Sequence, residues 1–212
     1  MLFRSHFVET GVHWDNGHGV HRQSVETPER TGLYYFHAKA ESGAFFSFPL
    51  VIAPSRPTAP IAVLASTNTW NAYNPFGGRS NYIMASKIID TPIVNSKADL
   101  PRYKSSDYGE WRSGPTFAPL RFDRPEPINA VPETDEVTSP IEGRQPCHLA
   151  PAEWRLLGWL EHEGYDYDLF SDYQLHDGTL NLDNYKVLVI NTHPEYWSAD
   201  AFHAVQKWVF ER

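Results

Sequence analysis

The sequence predicts an α/β fold in which the strands of a parallel sheet alternate with helices. Three features point there. Two short apolar runs rich in β-branched residues, 61–65 (Ile-Ala-Val-Leu-Ala) and 186–191 (Lys-Val-Leu-Val-Ile-Asn), read as strands buried on both faces. Two amphipathic runs, 151–163 and 198–211, repeat their apolar residues at helical spacing. Both strand-like runs pass at once into polar stretches, and open α/β sheets bind ligands at that C-terminal edge.

Taken in order, residues 1–30 are polar, rich in Gly and His, and without periodicity. His13, Asp15, His18 and His21 fall close together there, a spacing open either to a metal or to a loop with exposed histidines. Residues 32–40 alternate apolar and polar side chains, and 44–52 form a second strand-like run. Glu41-Ser42-Gly43 between them reads as a hairpin turn. This hairpin is expected to end a β-sandwich-like domain covering 1–54. Pro54, Pro57 and Pro60 mark 55–60 as a linker, and 61–212 is expected to form the α/β domain.

The stretch 66–82 after the first parallel strand is expected to be a polar loop, with Gly77 and Gly78 allowing close approach of backbone to a ligand. From about 83 to 150 prolines recur and no period survives. An insertion of that length is rare in a compact domain and is usually functional. Tyr103, Tyr108, Trp111 and Phe117 make it aromatic, and it is expected to pack over the sheet edge. Helix 151–163 is striped by Trp154, Leu157 and Leu160, widened by Leu156 and Trp159, with Glu153 near its start and Gly164 placed to cap its end. A strand at 165–170, a loop or single turn at 174–182, the strand 186–191 and the helix 198–211 complete the order. In that last helix Ser198 is the expected N-cap, and Phe202, Val205 and Val209 the buried stripe, with Ala201 and Trp208 beside them. Such alternation predicts right-handed crossovers. The helix runs to Glu211 and Arg212 with no Gly cap and no strand after it, so the sheet reads as incomplete, truncated at its C-terminal end.

Composition narrows the class. With 212 residues and 41% hydrophobic content a packed core is feasible. A net charge of −8 without any Lys/Arg cluster argues against nucleic acid as the main partner. No apolar run is long enough to span a bilayer, and the first residues lack a signal peptide's apolar core. The single cysteine, Cys147, excludes an intrachain disulfide and fits a reducing cytoplasm. Aromatic residues reach 14%, so several are expected to line a surface, a pocket or an interface.

The chemistry concentrates in Thr192-His193-Pro194-Glu195-Tyr196-Trp197, which leaves the strand 186–191, and in the equivalent stretch after 61–65, which carries Tyr73. If the two strands are close, Tyr73 and Glu195 face each other across the sheet edge. Phenolate and carboxylate are hard oxygen donors suited to a hard cation such as Fe³⁺. A phenol of unperturbed pKa about 10 must lose its proton to bind, a shift that a trivalent ion supplies. The same residues have plainer uses: Tyr73 as a hydrogen-bond donor in a pocket, Glu195 as an acceptor of nearby amides. Asn68, Asn71, Asn74 and Asn81 fit either substrate contacts or turns. Glutamine amidotransferases of similar α/β build use a nucleophilic Cys on a strand-to-helix elbow. Cys147-His148 sits instead between Pro146 and Pro151, with no preceding strand, and is not read as a nucleophile. No Gly-x-Ser-x-Gly elbow is present.

The run 64–82 (Leu-Ala-Ser-Thr-Asn-Thr-Trp-Asn-Ala-Tyr-Asn-Pro-Phe-Gly-Gly-Arg-Ser-Asn-Tyr) and Thr-His-Pro-Glu-Tyr-Trp-Ser at 192–198 resemble the C-terminal region of the N,N-dimethylformamidase large (beta) subunit family. Phe122-Asp-Arg-Pro125 and the hairpin end Phe48-Pro-Leu-Val-Ile-Ala-Pro54 are similar to it as well. The resemblance runs from about Gly32 onward. It implies a glutamine-amidotransferase-like, three-layer parallel sheet joined to a β-rich domain, and a mononuclear ferric ion held by two tyrosines and one glutamate. On that pattern Tyr73 and Glu195 would be ligands, and His193 a catalytic residue. The second tyrosine would lie in the insertion: Tyr108, with Tyr103 and Tyr82 as alternatives. The resemblance further implies a small partner subunit and a homo-oligomer, and catalytic groups C-terminal to the Glu195 motif.

The expected function is an iron-dependent amidohydrolase acting on small N-substituted amides such as N,N-dimethylformamide, of which this chain would be a fragment. The competing expectation is a non-catalytic ligand-binding or assembly module of the same fold.

Overall fold

The structure of the protein, a computed structural model, describes residues 26–39, 41–74, 122, 126–129 and 148–211. It is mixed α/β and contains the parallel sheet. Residues 27–70 and 129–212 make up one compact unit, which holds the elements below as far as residue 70 and from residue 129 onward.

The unit begins with an antiparallel hairpin, β1 (Gly32–Lys39) and β2 (Phe45–Ile52), in register from Gly32 opposite Ile52 to Lys39 opposite Phe45. Phe36 and Phe48 stack across it with ring centroids 5.0 Å apart. Gly43, at φ 84°, makes the turn in the left-handed region that a side chain resists. The predicted hairpin is therefore present. Thr31 Oγ1, just before β1, accepts the Leu169 amide at 2.8 Å and ties the hairpin to the parallel sheet.

That sheet comprises β3 (Ile61–Ala65), β4 (Tyr167–Ser171) and β5 (Val187–Ile190), in the order β4-β3-β5. Ile61 pairs with both Tyr167 and Val187, so the three strands start at one level. The helices are α1 (Thr67–Tyr73) directly after β3, α2 (Ala150–His162) before β4, the single turn α3 (Asp172–His176) after β4, and α4 (Ala199–Phe210) after β5. β3 is central, and its consecutive residues Ala62, Val63, Leu64 and Ala65 are all buried. On one face Ala62 and Leu64 pack with Phe170, Leu175, Leu180, Leu182, Tyr185 and Ala201. Each leucine sequestered there contributes about 1.5–3 kcal/mol.

Asp168, fully buried in β4, fastens the opposite end of the sheet. It accepts hydrogen bonds from the Thr58 hydroxyl, from the Thr58 amide at 2.8 Å and from the Tyr185 hydroxyl at 2.9 Å. One carboxylate thus joins the segments that lead into β3 and β5. α2 ends as expected, with Gly164 at φ 76° just past it. Its start is capped from a distance: Asn129 Oδ1 accepts the Ala150 amide at 3.2 Å.

Three expectations need correction. The stretch after β3 is helical from Thr67, because its Thr and Asn residues meet acceptors supplied by other elements. β5 is not buried on both faces: Val187 and Ile190 are 46% and 42% exposed, since among the described residues the strand pairs only with β3. The buried side of α4 is turned from the predicted stripe. Ala201, Ala204, Val205 and Trp208 meet the core, while Phe202 and Val209 are more than half exposed.

Candidate functional site

Ser66 follows β3, Asp172 follows β4 and Asn191 follows β5, so polar residues meet where the parallel strands end. The start of α1 lies among them. An α-helix leaves its first amides without partners inside the helix. Here two carboxyls from other elements accept them. Glu153, in the first turn of α2, takes the Ser66 amide on Oε1 at 3.0 Å and the Trp70 indole N–H at 2.9 Å. Asp172 takes the Asn68 amide at 3.1 Å and the Thr67 hydroxyl. Positive partial charge at the helix start favours both acids there.

The segment 191–196 is held to this frame at three places. The Ser66 hydroxyl donates to the Asn191 carbonyl. The Thr192 hydroxyl donates to the His148 carbonyl at 3.1 Å. Thr69 Oγ1, fully buried, accepts the Glu195 amide at 3.1 Å and the Tyr196 amide at 3.3 Å. The Glu195 amide also meets the His193 carbonyl at 2.9 Å, a three-residue turn centred on Pro194, whose ring fixes the φ such a turn needs.

Within that turn His193 Nε2 lies 3.0 Å from Glu195 Oε2, and both side chains are more than a third exposed. An ionised carboxylate only accepts, so in the neutral ring Nε2 carries the hydrogen and Nδ1 the lone pair. The ring of His148 meets that of His193 edge-on, with centroids 5.0 Å apart. The outcome is an accessible carboxylate and imidazole, coupled to each other and fixed to the sheet by backbone amides.

The supporting acids differ from the exposed pair. Burial, opposed by the bonds to Ser66 and Trp70 and reinforced by the charge of Asp172, pushes Glu153 up to about 8. Burial also raises Asp172 to about 6, against its bonds to Thr67 and Asn68. Burial thus favours the protonated form of Glu153.

Of the residues singled out in the sequence, His193 and Glu195 are brought together. Tyr73 is the last residue of α1, beyond residue 70 at which the 27–70 segment of the compact unit ends. Tyr108, Tyr103, Tyr82, Asn81, Cys147 and the His13, Asp15, His18, His21 group lie outside the described residues, as do Gly77 and Gly78. Asn71 and Asn74 are buried. Among the described residues no three His, Cys, Asp or Glu side chains converge as a metal site. Sequence reasoning missed Ser66, Thr69, Asp172 and the contact role of His148, and treated Glu153 only as a helix-start acid. The one signal was position: Ser66 and Asp172 each directly follow a strand.

Comparison with known proteins gives a consistent result. A family model described as N,N-dimethylformamidase beta subunit-like, C-terminal, matches residues 5–211. The chain is 27% identical over 241 aligned residues to the N,N-dimethylformamidase beta subunit of Alcaligenes sp, an alignment covering 91% of this chain and 29% of that protein. It is 30% identical over 174 residues to the protein of the same name from Paracoccus aminophilus, covering 73% of this chain and 21% of that one. The chain thus spans less than a third of the length of either relative.

Proposed function

Because the chain belongs to the N,N-dimethylformamidase beta subunit-like, C-terminal family, we propose that it supplies the metal-holding edge of an amidohydrolase for small N-substituted amides such as N,N-dimethylformamide. The names of the two relatives, each a beta subunit, support the reaction class and a multi-subunit assembly; a small partner subunit is part of this reading. The parallel sheet is compatible with a glutamine-amidotransferase-like architecture completed by further strands.

One observation carries the site. Thr69 Oγ1, within the unit of 27–70 and 129–212, accepts the Glu195 amide at 3.1 Å and the Tyr196 amide at 3.3 Å. Tyr73, Glu195 and a second tyrosine, Tyr108 or else Tyr103 or Tyr82, would hold one ferric ion. Three hard anionic oxygens fit that ion. The anchoring of Glu195 supports the assignment, because its backbone is fixed while its side chain stays accessible. When bound, the ion supplies Lewis acidity to the amide carbonyl and to water.

The chain's own groups do the rest. The His193 Nε2–H bond orients the Glu195 carboxylate, as outer hydrogen bonds orient metal ligands generally. Nδ1 of His193 carries the lone pair that orients water or takes its proton. Water oxygen adds to the carbonyl carbon, the C–N bond breaks, and the proton goes to the departing amine, giving formate and dimethylamine from N,N-dimethylformamide. Aromatic walls would keep solvent out and favour small apolar N-substituents.

The test is hydrolysis by a chain spanning the length of the curated relatives, assayed for formate and dimethylamine. Activity that disappears in Glu195→Gln and in Tyr73→Phe is the expected result. No hydrolysis of any small amide by that chain would leave a non-catalytic binding module instead.

A further inference from the structure

The buried acid Glu153 has no part in the reaction just described, yet it sits at the centre of the frame. It is 2% exposed, and one oxygen serves both the Ser66 amide, just before α1, and the Trp70 indole four residues on. α1 has only seven residues, too few to hold its own shape in water, so groups outside it must fix its position. Thr69 lies between the two residues that Glu153 grips, and its hydroxyl oxygen is the acceptor for Glu195 and Tyr196. A residue present only to fill space would be apolar, because burying an acid is costly unless its bonds are needed. The other oxygen, Oε2, has no partner among the described residues.

We infer that Glu153 is a positioning residue for the His193–Glu195 loop, acting through Ser66 and Trp70 on Thr69 and through Thr69 on the backbone of Glu195. The inference rests on the proposed function only in taking Glu195 as a functional carboxylate. The geometry it describes can be tested without metal or substrate.

The experiment measures amide hydrogen exchange at Glu195 and Tyr196 in the purified protein, together with iron content and the separate changes in kcat and KM on N,N-dimethylformamide. Glu153→Gln keeps an acceptor oxygen for both donors and is expected to leave all of these unchanged. Glu153→Leu removes the acceptor. It is expected to speed exchange at Glu195 and Tyr196 about tenfold, as losing roughly one hydrogen bond would, and to lower iron affinity about 10–100-fold. If the leucine variant does not fold, Glu153→Asp, one methylene shorter, takes its place with a smaller effect in the same direction. Thr69→Val should reproduce the loosened loop, and combining it with the Glu153 variant should add little further. Unchanged exchange at 195 and 196 in a folded Glu153→Leu or Glu153→Asp protein overturns the inference. So does faster exchange spread evenly over Leu64, Leu169 and the loop, which marks a merely structural role. If the unsubstituted protein holds no iron, the metal reading fails, while the exchange result still decides the role of Glu153.

Discussion

His193 Nε2 lies 3.0 Å from Glu195 Oε2, across a turn whose middle residue is a proline. The carboxylate therefore carries its orienting partner on its own loop. His193→Ala is expected to reduce kcat by about 10²–10⁴-fold, the usual range for a positioned acid–base group. Iron content should stay near that of the unsubstituted protein, because the three proposed oxygen ligands, Tyr73, Glu195 and a second tyrosine, would be untouched. Steady-state kinetics with iron analysis separates the two effects.

Pro194 holds the turn that places those side chains on one side. Pro194→Gly widens the backbone choices of the unfolded chain and frees the turn in the folded one. A loss of about 0.4–1 kcal/mol in unfolding free energy is expected. A fall in kcat larger than that stability change accounts for should accompany it. Chemical denaturation and kinetics on one preparation check both.

Stability should fall as pH rises. Burial pushes Glu153 up to about 8 and Asp172 up to about 6, from ordinary values of 4.5 and 3.8 in the unfolded chain. Both groups bind their protons more tightly when folded. Their contribution is complete below the unfolded values and is lost as pH rises through about 6 for Asp172 and about 8 for Glu153. The slope is at most about 1.4 kcal/mol per pH unit for each group. Glu153→Gln should remove the slope that Glu153 contributes between 4.5 and about 8 and leave the part due to Asp172, between 3.8 and about 6. Denaturation midpoints across this pH range measure it.

Asp168 provides a contrast, because it braces the sheet at the end away from the loop. Asp168→Ala leaves the Tyr185 hydroxyl and the Thr58 amide without their buried acceptor. A loss of roughly 3–5 kcal/mol is expected from the paired-group deletion. In whatever fraction stays folded, amide exchange at Glu195 should keep its rank among the loop amides. Thermal unfolding with exchange mass spectrometry reads both.

Much of the fold was legible because hydrophobic patterning decides it. Ile61–Ala65 is a strand over the predicted residues, and α2 and α4 fall within about one residue of the predicted ends. Burial was legible only where neighbours could be guessed. β5 reads as a central strand from its Val-Leu-Val-Ile run, but its partners are set by topology, which composition does not encode. α1 was hidden for a related reason. Thr67, Asn68 and Thr69 are weak helix formers, and their helix depends on Asp172 and Glu153, about a hundred residues away in sequence. The site divides in the same way. His193 and Glu195 stand two apart in one motif, so their pairing was local. Thr69 is brought to them by the parallel pairing of β3 with β5, which no local pattern encodes.

The most direct measurement is the visible absorption spectrum of the purified protein, taken with elemental analysis for iron. A ferric ion bound by tyrosinate absorbs in the visible through charge transfer from the phenolate. On the proposed ligation the protein is coloured, with one iron per chain, its colour lost or shifted in Tyr73→Phe and its iron lost in Glu195→Ala. A colourless, iron-free protein whose properties do not change in Tyr73→Phe would contradict it.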